Sequence, residues 1–299
     1  MRLTRFVLAA TLCSALVVPV QAANYAVVES VQSPAWLERD GQRQPLVAGM
    51  SLSNRDRIET GPKARAIIQL ADGSAVKLGE GAMVSLNALG RREGNVFTAA
   101  VDVATGAFRL TTDALRKLQG KRAINVRVGT VTAGIRGTDI WGRSDEDSDF
   151  VCLLEGRIAV THVSGQSAEL TEPLQYYGAE RVLNVPAVSS VTPEQAEKWV
   201  AMTDPQPGFG LVSRGGKWGV LLASAETSEA ALELYDRFRA AGVHVRVLPQ
   251  GGAQAMHYDL LAGPVADENQ AAYLANRLER QLGLTATPAV RRYAALRGL

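Results

Sequence analysis

Three histidines and two cysteines are the residues of this 299-residue chain best suited to metal or nucleophile chemistry, and their spacing favours neither. His162, His244 and His257 stand far apart, and no two share the spacing that puts a pair of ligands on one helix face. Cys13 and Cys152 form no CxxC pair, so no metal site and no cofactor is expected. Asp145, Glu146, Asp147 and Asp149 make the densest acidic run. Calcium would want alternating oxygen ligands with a glycine at the turn and a distal Glu, so the run reads as a solvated hairpin tip. No motif places the carboxylate pair of a glycan hydrolase. The glycines at 208, 210, 215 and 216 neither follow a strand nor open a helix, as a dinucleotide site requires. The chain is not expected to be an enzyme.

These residues sit in a chain of ordinary globular composition, 46% hydrophobic and 21% charged, long enough for about two domains. Basic residues number 32 and acidic ones 30, a balance too even for a nucleic-acid partner. Arg2 and Arg5 open the chain, residues 6–18 are almost wholly apolar, and small residues precede Ala22. This is the pattern of a secretory signal over residues 1–22, cleaved after Ala22. The run is short for about 30 Å of hydrocarbon, so no transmembrane anchor is expected after cleavage, and export to the periplasm follows. Cleavage would remove the whole formal charge of +2 together with Cys13. Cys152 then stands alone in an apolar run from Phe150 to Leu154 and reads as a small buried hydrophobe.

Residues 23–165 read as an all-β domain of short Val- and Ile-rich runs separated by turns. Asp72-Gly73-Ser74 between two such runs predicts a hairpin. Strands are expected at 97–103, 107–111, 125–128 and 150–154, with one short helix at 113–118. A sandwich, a roll and a short solenoid all accommodate them. Residues 166–216, with six acidic side chains against two basic up to Val212, read as a Pro- and Gly-containing linker. Thr192-Pro193-Glu194-Gln195 should start a helix there, at about 193–202. Residues 217–291 alternate strand and helix in the order β-α-β-β-α-β, an α+β ferredoxin-like arrangement, followed by a tail at 292–299.

Two stretches resemble known families. Gly49 to Gly61 (GMSLSNRDRIETG), Ala64 to Leu78 (ARAIIQLADGSAVKL) and Thr130 to Trp141 (TVTAGIRGTDIW) are similar to the FecR domain, the match covering about residues 54–163. The family is named for the periplasmic part of an iron-transport regulator, which implies a protein-interaction or scaffold role. Trp218-Gly219-Val220 and the run from Tyr258 to Val265 (YDLLAGPV) resemble the SPOR domain, over about residues 217–291. That resemblance implies binding of peptidoglycan glycan strands stripped of their stem peptides, on the sheet face without helices, in a setting of cell division. The chain departs from the SPOR pattern at Leu221, where a Gln is usual, and at Asp259, where an Arg is usual; Ser224 keeps a typical contact residue.

Strand alternation gives its own estimate of that face. If Val243, Val245, Val247, Tyr258 and Leu260 face the helices, then Leu221, His244, Arg246, His257, Asp259 and Leu261 face outward, with Trp218 at the edge. The expected function is that of an exported cell-envelope protein whose C-terminal domain binds denuded glycan strands through Trp218, Leu221, Ser224, His244, Arg246, His257, Asp259 and Leu261. The alternative is a periplasmic adaptor or signalling component acting through the FecR-like domain, on which an envelope protein docks, with a degenerate SPOR domain.

Overall fold

The computed structural model describes residues 25–112, 122–135, 137–180, 187–251 and 256–292. The expected signal peptide, the expected helix at 113–118, Arg136 and residues 293–299 lie outside them. No helix among the described residues is long and apolar enough to cross a membrane.

Short strands dominate, as the Val- and Ile-rich runs between turns require. β1 (Ala26–Gln32), β2 (Ala35–Arg39), β3 (Gln42–Pro45), β4 (Ser51–Leu52), β5 (Arg57–Thr60), β6 (Arg65–Leu70), β7 (Ala75–Leu78) and β8 (Met83–Arg92) lead to a long β9 (Val96–Thr111). β10 (Arg122–Val128), β11 (Val131–Ile135), β12 (Asp139–Ser144), β13 (Ser148–Glu155), β14 (Ile158–His162), β15 (Ser167–Leu170), β16 (Gln175–Glu180) and β17 (Ala187–Ser190) follow.

They form two sheets, one ordered β3-β2-β5-β8-β9-β10-β11-β14-β15 and the other β1-β6-β7-β9-β12-β13-β16-β17. The two runs expected at 97–103 and 107–111 are therefore one strand, β9. Its first part pairs with β8 and β10, and Gly106–Thr111 pairs with β12. Gly106 stands where β9 changes sheets, at φ +86°, and a Cβ there would lie 2.4 Å from Ala82 Cα, so only glycine fits. The inner faces share one core, with Leu37, Ile58, Val84 and Val126 from the first sheet against Ile68, Leu110, Ile140 and Val151 from the second. Fully burying each such side chain stabilises by about 1.5–3 kcal/mol relative to exposure. Of the three architectures the strand pattern allows, the chain adopts two packed sheets.

The predicted turn at Asp72 forms as a hairpin between β6 and β7. The Asp72 carboxylate accepts from Ser74 N–H at 3.0 Å and lies 2.7 Å from its hydroxyl, while Gly73 takes φ +91°.

The sheets do not stop near residue 165. β15 pairs with β14, β16 with β13, and β17 with β16, so half of the expected linker belongs to the β structure. Its remainder is not a free tether either. α1 (Pro193–Ala201), capped by Thr192 Oγ1 accepting from Gln195 N–H, packs on the second sheet through Trp199. Lys77 Nζ meets Asp204 at 2.6 Å, and Gln32 and Gln206 exchange two hydrogen bonds of 2.8 Å. β18 (Val212–Ser213) then pairs with β1. Two of the glycines here permit close approach: a Cβ on Gly210 would lie 2.5 Å from Leu274 N, and one on Gly216 would lie 2.4 Å from Val265 O.

The remaining elements are β19 (Trp218–Ala225), α2 (Ser228–Ala240), β20 (Val245–Gln250), β21 (His257–Val265), α3 (Glu268–Leu282) and β22 (Ala289–Arg292), in the order β-α-β-β-α-β. The strands make an antiparallel sheet ordered β22-β19-β21-β20. Thr227 and Asp267 cap the helices, and Gly283 ends α3 in the left-handed region. Ala231, Phe238, Leu274 and Leu278 pack on Val220, Leu260 and Val265 in a second core. Val212 of β18 also pairs with Val265 of β21, which joins the two parts edge to edge. Arg277 reinforces the junction: Nη2 donates to Ser33 Oγ at 2.9 Å, and burial lowers its pKa to about 10.

Candidate functional site

The second sheet carries an aromatic face on its outer side. Register places Trp141 opposite Cys152 and Phe150 opposite Gly178, with Cys152 opposite Tyr176, so these side chains alternate onto one surface across β12, β13 and β16. α1 lies across that surface, because Trp199 stacks on Trp141 at 5.1 Å with 11° between the planes. Phe150 and Tyr176 meet Trp199 at 5.0 and 6.1 Å. Trp141 and Cys152 are fully buried beneath, whereas Phe150, Tyr176 and Trp199 remain half-buried. Burial pushes the Cys152 thiol up to about 12, which makes it the inert hydrophobe expected rather than a nucleophile.

The half-buried rings wall a groove of about 520 Å³ between α1 and the sheet edge. Gly178 and Ala187 leave its floor without bulk, and Glu180 is the one charged side chain among its described lining residues. A concave apolar site with few polar groups is the usual form of a binding pocket. None of its residues was a candidate at the level of sequence. The available signal was Trp199 on a well-capped helix with aromatic residues at alternate strand positions nearby.

The residues that sequence reasoning selected lie on the C-terminal sheet. Leu221, Leu261 and Arg246 are cross-strand neighbours on the face away from the helices. On the same face Ser224 Oγ donates to Asp259 Oδ1 at 2.6 Å, and His257 Nε2 stands 3.7 Å from that oxygen. These three form a polar cluster centred on the carboxylate. Leu261 is fully buried and offers no accessible contact, contrary to the outward exposure expected of it. Trp218 lies at the sheet's side and packs against the second core, with the Arg292 guanidinium 5.4 Å from its ring centre.

His244 precedes β20 and is half-buried. Burial, and secondarily the nearby Arg246, lower its pKa from 6.5. The unfolded chain therefore binds the proton more readily, so the contribution to stability is present above about pH 6.5 and is lost as pH falls through the folded value. A His244→Gln variant should show a flatter fall in urea midpoint on acidification below neutrality.

Among the described residues no group of three or more His, Cys, Asp or Glu is placed to hold a metal ion. The acidic run at 145–149 instead ties the structure together. Asp145 accepts from the backbone of Asp147 and Ser148 and pairs with Arg143 at 2.8 Å. Asp149 is fully buried, accepting from Thr130 N–H at 2.9 Å and from the Thr130 and Ser144 hydroxyls at 2.8 and 2.7 Å. The expected solvated tip is thus half internal.

The described residues thus form two packed sheets, the second carrying an aromatic groove on its outer side. Residues 56–159, about a third of the chain, match the family model described as FecR protein. Two crystal structures of a Parabacteroides distasonis protein assigned as an anti-sigma factor are also similar. Each is 13% identical with a TM-score of 0.40; the alignments cover 76% and 79% of this chain and 92% and 97% of theirs. No curated protein matches the chain.

Proposed function

We propose that this protein is a non-enzymatic adaptor of the cell envelope that docks a protein partner on its β part. The observation that carries this reading is the aromatic groove, built from the FecR domain's own β12 and β13 and from the strand and helix that follow it. The FecR match supports a periplasmic setting, as do the apolar run at 6–18 and the small residues before Ala22.

Half-buried aromatic rings gathered around a cavity are the side chains that dominate protein interfaces. Affinity capture on purified exported chain, beside a Trp199→Ala variant, tests the reading. One defined envelope protein should be retained by the parent and lost by the variant. Identical retention by both would overturn the assignment to the groove.

A second reading rests on the polar cluster of Ser224, His257 and Asp259 on the helix-free sheet face. It assigns the C-terminal part, similar in element order to SPOR domains, to denuded glycan strands. Co-sedimentation with sacculi after amidase treatment, reduced by Asp259→Ala, supports it; no co-sedimentation with treated or untreated sacculi removes it.

A further inference from the structure

The groove lies beside the end of a sheet. Among the described residues β17 pairs only with β16, and all four of its residues are exposed. Val191 N–H donates to Leu174 O at 3.0 Å just beyond the strand. Antiparallel pairs alternate, so Ser189 and Ala187 bond inward to Tyr176 and Gly178. The N–H and C=O groups of Val188 and Ser190 then point away from the sheet. Among the described residues nothing pairs with this edge and its four residues carry no charge, and such an edge is a template for another strand.

We propose that the β17 edge and the groove beside it together dock an extended peptide segment of the partner, one that places an Arg or Lys side chain between Trp199, Tyr176 and Glu180. This rests on the adaptor reading and names the chemistry of its partner. A strand added about 4.8 Å beyond β17 would bond to Val188 and Ser190. Its side chains on the groove side cross Ala187 and Ser189, which are too small to block them.

The charge of the site selects what enters. Glu180 is exposed at the groove and makes no ion pair among the described residues, and no described Lys or Arg lines the cavity. Glu146 and Asp147 are exposed on the turn before Ser148, which is paired with Glu180. A cation over aromatic rings beside a carboxylate gains from both the ring quadrupole and the charge. An apolar side chain would use the rings but leave the carboxylate idle, and an acidic one would be repelled.

The test uses the full exported chain and three probes: a short blocked peptide of alternating Thr and Val with a central Arg, the same peptide with a central Glu, and an N-acetylglucosamine oligosaccharide. The Arg peptide should quench tryptophan fluorescence saturably and slow amide exchange at Val188 and Ser190. The Glu peptide should bind at least about tenfold more weakly, and so should the Arg peptide to Glu180→Lys or Trp199→Ala. Val188→Pro removes an outward N–H that no described strand uses, so it should fold normally by circular dichroism yet lose the peptide. Equal binding of both peptides, no protection at these amides, or a response to the oligosaccharide alone would overturn the proposal. If the peptides fail while partner capture still depends on Trp199, the partner docks through a folded surface. The adaptor reading would then stand without this inference.

Discussion

Asp149→Ala is expected to destabilise the β part by about 2–3 kcal/mol, read as a lowered urea midpoint. Asp149 begins the paired run of β13 next to the β12–β13 turn, yet its carboxylate points into the gap between the sheets and reaches the β10–β11 turn. Thr130 donates to it through both its N–H and its hydroxyl. Removing the carboxylate leaves these two part-buried donors without their acceptor, and a fully buried orphan costs about 1–3 kcal/mol. Ser144 is less affected, because its hydroxyl also lies 3.1 Å from Ala104 O and can turn to it. Asp149→Asn keeps one acceptor oxygen and should fall between the parent and the alanine variant. Gly129 shows how closely the carboxylate is held: at φ +51°, a Cβ there would collide with all three of its atoms. Gly129→Ala should therefore be destabilising too, and much less so once Asp149 is alanine, which leaves only the cost of the left-handed backbone.

Local chemistry was legible in the sequence wherever one short segment decides the outcome. Asp72-Gly73-Ser74 makes its turn through its own carboxylate and a positive φ, so no distant residue is needed. The caps at Thr192, Thr227 and Asp267 are equally local, each accepting from the N–H three residues on. What failed depends on partners far along the chain. Residues 166–216 have a linker's composition, but Tyr177 and Ala179 are buried because β13 pairs with β16. Asp149 has the composition of a surface turn and is internal because Thr130 sits opposite. Leu261 alternates outward correctly, yet its central place between β19 and β20 buries it.

The groove illustrates the same limit at the level of function. Phe150, Tyr176 and Trp199 are separated by more than twenty residues at each step, and only strand register plus the seat of α1 brings their rings together. The FecR-type motif, by contrast, is visible in sequence and mostly builds the frame. Asp139 accepts two hydrogen bonds from Arg109, at 3.0 and 2.6 Å, and Thr138 O accepts from Thr112. Trp141, which closes the motif, is where frame and groove meet.

Trp141→Ala should accordingly be the costliest single change at the groove, at about 3–5 kcal/mol, whereas Trp199→Ala should cost about 1–2 kcal/mol. Trp141 is fully buried between the sheet and Trp199, also touching Phe150 at 5.4 Å, so truncation opens a cavity that α1 can fill only by moving. Trp199 is half-buried, and its loss exposes the Trp141 ring to water without hollowing the core. The indole N–H of Trp141 has no acceptor among the described residues, so its size rather than its polarity does the stabilising. Trp141→Phe should then recover more than half of the lost stability, measured by urea denaturation. Binding separates the two positions in the opposite sense. At a temperature where both variants are folded, Trp141→Phe should retain partner capture and Trp199→Ala should lose it, because only the outer ring faces the groove. Loss of capture in Trp141→Phe with Trp199→Ala unaffected would place the binding surface elsewhere on the sheet.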